Sequence, residues 1–373
     1  MKKEERVNKY LEIIFKDFRD IADKGINRCL LSTKYLMGTI DVEPSSKGVQ
    51  RVDIPNRVLL NCTRVIINDI DPNLVDKYNS FVDEKNIIIK KSEIYDLFKE
   101  HRAYYDRSYK NGKSPRIVMY KRPDFYAVST LIHEFMHSTN TKRIDKENPL
   151  DQKDILRNEL SEFVSIYFEM YAREYLINRL NVNNNMIDLS ERFISNYELA
   201  NHDLEEYISY VIYDKYGTVN YENYLTILDE YKIPLLPNKM DYNSSLNRFI
   251  KSTKKIYNSM MEFSTIKKDE DGYDKVNDLL HKYLTAKITE DNYIASTMLY
   301  FSIKDRLTKE DILKFNKVLG DDTSIEDKFL NPDFNKVIEY YNNLLNNEEL
   351  DYKIDDFLKS VYDEKGKIKN LYI

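Results

Sequence analysis

Three residues in one short segment have the types and the spacing that bind a catalytic metal ion. His133, Glu134 and His137 form a His-Glu-x-x-His motif. Residues four apart lie on one face of an α-helix, one turn above the other, so both imidazoles can reach the same ion. Zinc binds imidazole nitrogen at about 2.0–2.1 Å, and a nearby carboxylate can take a proton from a zinc-bound water that attacks a carbonyl. The motif predicts one Zn²⁺ per chain, with His133 and His137 as ligands and Glu134 as general base.

The residues around the motif predict the helix that the spacing requires, over about residues 124–139. Pro123 ends the preceding strand candidate, and Asp124 supplies an N-cap. Apolar residues recur at three- and four-residue spacing along the segment and can anchor one face in a core; they are Val128, Leu131, Ile132 and Phe135. The histidines occupy a different strip, which we expect to face a cleft.

The next predicted helix offers two glutamates as a third ligand. Glu159 interrupts an apolar stripe, and a buried carboxylate is costly unless it is paired or bound to a metal. Glu162 shares its face with Asn158, Ser165, Glu169 and Arg173, a strip that looks solvated. We therefore predict Glu159 as the third ligand and keep Glu162 as the alternative.

The motif and the following helix together resemble the gluzincin metallopeptidases, a clan that includes thermolysin and many helical oligopeptidases. Twenty-one residues lie between His137 and Glu159, which follows Asn158. The resemblance covers about residues 116–172 and implies a zincin-like catalytic region, with the same two histidines, Glu159 as ligand and Glu134 as base. Gluzincins often have a small residue three positions after the ligand glutamate. Counted from Glu162, that position holds Ser165, which keeps the alternative open.

Peptidases of this type use a Tyr or a His to stabilise the oxyanion that forms during hydrolysis. His202, His281 and many of the 31 tyrosines are available. No local pattern selects one of them.

The remaining pattern predicts a mainly α fold with a small N-terminal β-sheet. Eight glycines and nine prolines are few for 373 residues, which favours long helices. Strand candidates are 58–60, 65–67, 87–89 and 116–120, and helices are predicted at 3–36 and 92–105. Beyond residue 124 nearly every segment reads as helix: 151–181, 187–213, 219–231, 240–263, 273–287, 291–305, 308–318, 332–346 and 351–362. We divide the chain into an N-terminal mixed α/β region, 1–110, and a helical catalytic region, 111–373, which could form one continuous domain.

The strand candidate just before the motif suggests how a substrate could bind. Residues 116–120 are rich in β-formers. An exposed edge there could pair with an extended peptide by β-addition.

Composition restricts the partners and the compartment. The net charge is −6, with 57 basic and 63 acidic residues spread evenly, so we expect no nucleic-acid partner. No apolar run has the length of a signal peptide or a membrane span, and Cys29 and Cys62 are the only cysteines. These features favour a cytoplasmic protein with reduced thiols and no membrane partner. Its oligomeric state is open.

These observations predict a zinc-dependent peptidase that hydrolyses a peptide or protein substrate. The alternative is a non-catalytic helical binding or scaffold protein with a structural or degenerate zinc site. Glu134 separates the two, because a structural site does not need that carboxylate. A third hypothesis is a metal-free helical interaction protein in which the His-Glu-x-x-His motif arose by chance.

Overall fold

A computed structural model describes residues 52–91, 103–106, 114–121, 124–140, 152–183, 211, 215–216, 221–230, 293, 296–300 and 302–344. The chain divides into two compact units, each drawn from three segments. The first comprises Met1–Met37, Glu147–Ile155 and Ser195–Ile294, and the second comprises Gly38–Lys146, Leu156–Ile194 and Ala295–Ile373. The motif and both candidate third ligands lie in the second unit. The division predicted at residues 110/111 stays a prediction.

The described part of the chain is mainly helical. In chain order its helices are α1 Asn56–Ile70, α2 Val75–Asp83, α3 Tyr126–Asn140, α4 Gln152–Asn178, α5 Tyr221–Glu230, α6 Lys309–Gly320, α7 Ile325–Lys328 and α8 Pro332–Leu344. A 3₁₀ turn, Pro72–Leu74, joins α1 to α2. Residues 293, 296–300 and 302–303 are also helical. The predicted fold class is confirmed: a mainly α protein with a small sheet.

The sheet has three strands in the order β1-β3-β2: β1 Ile87–Lys91, β2 Ala103–Asp106 and β3 Arg116–Lys121. β1 runs parallel to β3, with Ile87 opposite Ile117, and β2 runs antiparallel to it, with Ala103 opposite Met119. Because β3 is paired on both sides, it has no free edge. The prediction that residues 116–120 bind a peptide by edge addition is therefore wrong. Periodicity identifies a strand but does not give its place in the sheet.

The strand candidates 58–60 and 65–67 are wrong, because both lie in helix α1. Their β-branched residues suggested strands. The buried residues of this helix are spaced as a helical face: Leu59, Thr63, Ile66, Ile67 and Ile70. Burial of that face outweighs the weaker helix propensity of valine and isoleucine.

Aromatic contacts fix the two helices that carry the candidate site. Phe135 of α3 makes edge-on contacts with Tyr78 and Phe81 of α2, at ring-centroid distances of 5.4 and 6.2 Å. Phe163 of α4 contacts Phe315 of α6 at 6.1 Å. Such pairs add about 0.5–1.5 kcal/mol each beyond the area that they bury. They hold α3 and α4 in a rigid core.

Other predicted elements agree with the structure to within a few residues. Strands at 87–89 and 116–120 and helices at 124–139, 151–181, 219–231, 308–318 and 332–346 are confirmed. The helix predicted at 92–105 is wrong at its end, since residues 103–106 form β2. The helices predicted at 3–36, 240–263, 273–287 and 351–362 lie outside the described residues, as do Cys29, His202 and His281. Among the helices that are described, none has the length and apolar character needed to cross a bilayer.

Candidate metal centre

Helices α3 and α4 supply the side chains of the site. The Asp124 carboxylate caps the start of α3 by accepting a hydrogen bond from the Tyr126 backbone N–H at 3.1 Å. One face of α3 is buried in the core, as predicted, through Val128, Leu131, Ile132 and Phe135. His133 and His137 lie on another face and are themselves buried. Their four-residue spacing brings the two rings to 4.9 Å between centroids.

His133, His137 and Glu162 form a group that could hold a metal ion. The Nε2 atoms of the two histidines are 3.2 Å apart. One carboxylate oxygen of Glu162 lies 3.3 Å from Nε2 of His133, and the other lies 3.3 Å from Nε2 of His137. Ligands at about 2.0–2.1 Å from a tetrahedral zinc ion are roughly 3.3 Å from one another. The three side chains therefore have the mutual spacing of zinc ligands.

A buried carboxylate orients the ring of His133. Nδ1 of His133 lies 3.0 Å from Oε2 of Glu169. The other oxygen of Glu169 accepts a hydrogen bond from the Arg173 guanidinium, which also stacks over the Tyr126 ring at 4.6 Å. Because an ionised carboxylate only accepts, Nδ1 of His133 carries a proton, and Nε2 is the nitrogen that faces the site and would bind a metal ion in place of a second proton.

A hydroxyl orients the ring of His137. Nδ1 of His137 lies 3.0 Å from Oγ of Ser161, and that hydroxyl donates its proton to Oδ1 of Asn140 at 2.7 Å. The Ser161 oxygen is therefore an acceptor toward the imidazole. His137 has its proton on Nδ1 as well, and its Nε2 lone pair also faces the site.

The two Nε2 atoms and a carboxylate thus converge on one point. In the described part of the chain, the buried Oε2 of Glu162 has no hydrogen-bond partner. A buried carboxylate oxygen without a donor is costly, and a cation beside it, whether a proton on Nε2 or a metal ion, removes that cost. Two imidazoles, a carboxylate and an open fourth position are a donor set of catalytic zinc sites. The residues present fit this ion.

The charges around the site favour a cation at the same point. Burial lowers the pKa of His133, but the carboxylates of Glu162 and Glu169 outweigh burial and raise that pKa to about 10. Burial raises the pKa of Glu162, yet His137 and His133 outweigh it and hold that pKa well below its usual range. In the metal-free protein these carboxylates favour a proton on Nε2 of His133, and a zinc ion would take the place of that proton.

Glu134 lies beside the metal-binding group and is 7% exposed. Burial raises the pKa of Glu134, and the two histidines oppose that shift only in part. A raised pKa brings a carboxylate closer to the range in which it takes up a proton at neutral pH.

Glu159, the predicted third ligand, lies outside this group. Its buried carboxylate accepts a hydrogen bond from the Tyr341 hydroxyl of α8, and its backbone carbonyl accepts one from Ser296 at 2.7 Å. The prediction that this carboxylate needs a partner was sound, but Tyr341 is a partner that the sequence did not reveal. The structure places Glu162, the alternative, beside the histidines and Glu159 away from them. Which glutamate binds the metal ion stays a prediction.

The polar strip of α4 is buried, and the expectation that it faces solvent is wrong. Glu162, Ser165, Glu169 and Arg173 were expected to face solvent, but the last three are at most 3% exposed. The strip faces α3, the helix that carries His133 and His137. Sequence analysis therefore missed Glu169, Arg173 and Ser161 as groups that orient the histidines. The available signal was the spacing itself: Glu169 follows Glu162 by seven residues, so both lie on one face of the helix.

No family model matches the sequence, and no curated protein matches it either. Three solved structures are similar to the chain. A PZ peptidase A with an inhibitor has a TM-score of 0.43 and 11% identity, covering 90% of this chain and 59% of that one. A structure described as an oligoendopeptidase F from Bacillus anthracis has a TM-score of 0.44 and 14% identity, covering 95% and 57%. A further oligoendopeptidase F structure has a TM-score of 0.41 and 12% identity, covering 96% and 58%.

The chain thus spans less than three fifths of the length of each of these structures. Identities of 11 to 14% do not assign it to their family. The geometry of His133, His137 and Glu162 is the basis for the proposed function.

Proposed function

We propose that this protein is a zinc-dependent peptidase in which His133, His137 and Glu162 hold the ion and Glu134 is the general base. The convergence of the two Nε2 atoms and the Glu162 carboxylate, at mutual distances of 3.2–3.3 Å, carries the proposal. The resemblance of the motif to gluzincins supports a peptide or protein as the substrate.

The orienting groups give each ligand its role. Glu169 and Ser161 hold the proton of each imidazole on Nδ1, so both rings bind through Nε2 without any change of tautomer. Arg173 balances the charge of Glu169, which keeps that carboxylate ionised in a buried place. The ligands are therefore organised before the ion arrives.

Zinc bound at such a site lowers the pKa of a coordinated water and polarises a substrate carbonyl. Glu134, next to His133 in the chain, would accept a proton from the attacking water and transfer it to the leaving amine. General acid–base catalysis of this kind contributes roughly 10²–10⁴ in rate.

Two features favour catalysis over a structural zinc site. A structural zinc site has four protein ligands, whereas the group found in the described part of the chain has three. A structural site also has no use for a buried carboxylate at position 134. The non-catalytic scaffold protein remains the competing hypothesis for the test.

Hydrolysis of a peptide library tests the proposal. The wild-type protein, supplied with zinc, should cleave peptides, should lose activity on chelation and should regain it when zinc is returned. Glu134→Gln should retain zinc and lose cleavage by roughly 10²-fold or more, because the amide cannot accept the proton. Binding of zinc by the wild-type protein with no cleavage of any peptide would favour the scaffold hypothesis.

A further inference from the structure

A chain of hydrogen bonds connects helix α6 to the ring of His137. It passes through four side chains from three helices: Thr139 and Asn140 of α3, Ser161 of α4 and Asn316 of α6. Asn140, Ser161 and Asn316 are each at most 5% exposed. Asn316 follows Asn140 by 176 residues, so only the tertiary fold brings them together.

In this series of hydrogen bonds, the direction of each bond is determined by the one before it. The Thr139 hydroxyl donates to the Met136 carbonyl at 2.7 Å, so its oxygen accepts from Nδ2 of Asn316 at 2.9 Å. The Asn316 amide oxygen must then face Asn140, and it accepts from Nδ2 of Asn140 at 2.8 Å.

The remaining links lead to the imidazole. Because Nδ2 of Asn140 is directed at Asn316, its Oδ1 faces Ser161 and accepts the hydroxyl proton at 2.7 Å. Ser161 is left with only a lone pair for Nδ1 of His137, 3.0 Å away. The backbone carbonyl of Met136 thus sets, through four side chains, the tautomer of His137, the next residue of the same helix.

Helix α6 approaches α3 closely enough for this series of hydrogen bonds to form. A Cβ atom on Gly320 would lie 2.7 Å from the Thr139 carbonyl oxygen and 3.1 Å from Cα of Asn140. The first distance is shorter than a Cβ atom tolerates against backbone and the second is tight, so any other residue here would force α6 and the end of α3 apart. Asn316, one turn before Gly320, points at the same end of α3.

From this geometry we infer that Asn316 is a positioning residue for the metal site. Through Asn140 and Ser161 it holds the proton of His137 on Nδ1 and so prepares Nε2 as a ligand. The inference rests on the proposed zinc site for its effect on affinity. The tautomer of His137 is a property of the metal-free protein and is independent of catalysis.

Two measurements on four variants test the inference. Imidazole ¹⁵N chemical shifts of the metal-free protein report the tautomer of His137, and chelator competition gives the zinc affinity. Ser161→Ala should weaken zinc binding by about 10–100-fold, the usual effect of losing a group that orients a ligand. Asn316→Leu should weaken it by about tenfold, and the Nδ1–H tautomer should lose its dominance in both variants.

The other two variants are matched controls. Asn316→Asp keeps an acceptor oxygen toward Asn140, so it should restore near wild-type affinity even if Asn316→Leu folds poorly. Ser302→Ala removes a buried hydroxyl that donates to the Leu299 carbonyl and belongs neither to this series of hydrogen bonds nor to the metal-binding group, so it should change neither measurement.

The inference is overturned if folded Ser161→Ala and Asn316→Leu keep both the wild-type tautomer and the wild-type affinity, or if Asn316→Asp binds zinc no better than Asn316→Leu. A wild-type protein that binds no zinc would refute the proposed function. The ¹⁵N shifts would still decide the inference in that case.

Discussion

The Nε2 atoms of His133 and His137 lie 3.2 Å apart, and each belongs to an imidazole whose Nδ1 faces a hydrogen-bond acceptor. Neither nitrogen can donate to the other while both protons are on Nδ1. A proton on one Nε2 atom or a metal ion between the two rings removes this repulsion, and Glu162 supplies the negative charge that favours either. The zinc hypothesis therefore depends on Glu169 and Ser161, which orient the imidazoles, as well as on the ligands themselves.

Removal of the Glu169 carboxylate should affect both metal binding and folding. Glu169→Ala deprives His133 of its acceptor, and zinc affinity should fall about 10–100-fold. It also removes the carboxylate that pairs with the Arg173 guanidinium, which is 3% exposed. A buried charge without its partner costs about 3–5 kcal/mol, measured as the free energy of unfolding in urea.

Glu169→Gln is the matched variant. Its amide oxygen can still accept from Nδ1 of His133, so zinc affinity should fall less than in Glu169→Ala. Equal zinc affinities in the two variants and the wild type would contradict the role given to Glu169.

The histidine helix could be predicted from the sequence because its evidence is local. The motif spacing, the Asp124 cap and the apolar face through Phe135 all fall within one 17-residue segment, 124–140. The choice between Glu159 and Glu162 could not be made in the same way. Both fit on one helix three residues apart, and the choice depends on Tyr341 and Ser296, which lie more than 130 residues away in the chain.

The central position of β3 and the helical state of α1 were predicted wrongly for a similar reason. A strand's neighbours and a helix's buried face are set by distant contacts. Patterns within one segment do not contain that information. The polar strip of α4 looked solvated because its partner, the face of α3 that bears the histidines, is identified only by tertiary packing.

Substitution of Gly320 by alanine should destabilise the protein. The new Cβ would lie 2.7 Å from the Thr139 carbonyl oxygen, so α6 or the end of α3 must move. Overpacking of this kind costs about 1–3 kcal/mol, which exceeds the gain in helix propensity of about 1 kcal/mol. Urea denaturation measures the change. Lys317→Ala, at an exposed position of the same helix, should stay within about 0.5 kcal/mol of wild type. A Gly320→Ala protein as stable as wild type would show that the contact is not tight.

The cap of helix α6 should make stability depend on pH. The Lys336 ammonium and the Thr308 backbone N–H lower the pKa of Asp311 from its ordinary value of 3.8 to about 2. A folded-state pKa below the unfolded one gives stability that is present above about pH 4 and is lost as the pH falls toward 2. Asp311→Ala removes the N3 half of the capping box and the ion pair with Lys336, and it should cost about 1 kcal/mol at pH 7.

The difference in unfolding free energy between wild type and Asp311→Ala should therefore narrow between pH 5 and pH 3. Urea unfolding of both proteins across this range measures it. A difference that stays constant or widens would contradict the assigned pKa shift. Lys336→Met should reproduce part of the loss at pH 7, because it removes the ion pair and leaves the cap in place.

Zinc content of two isosteric variants tests the central claim most directly. Glu162→Gln and Glu159→Gln change one carboxylate each, three residues apart on the same helix, and elemental analysis counts the ions. The account predicts one zinc per chain in the wild type and in Glu159→Gln, and loss of that zinc in Glu162→Gln. Zinc lost from Glu159→Gln and retained in Glu162→Gln, or no zinc in the wild type after the metal is supplied, would contradict it.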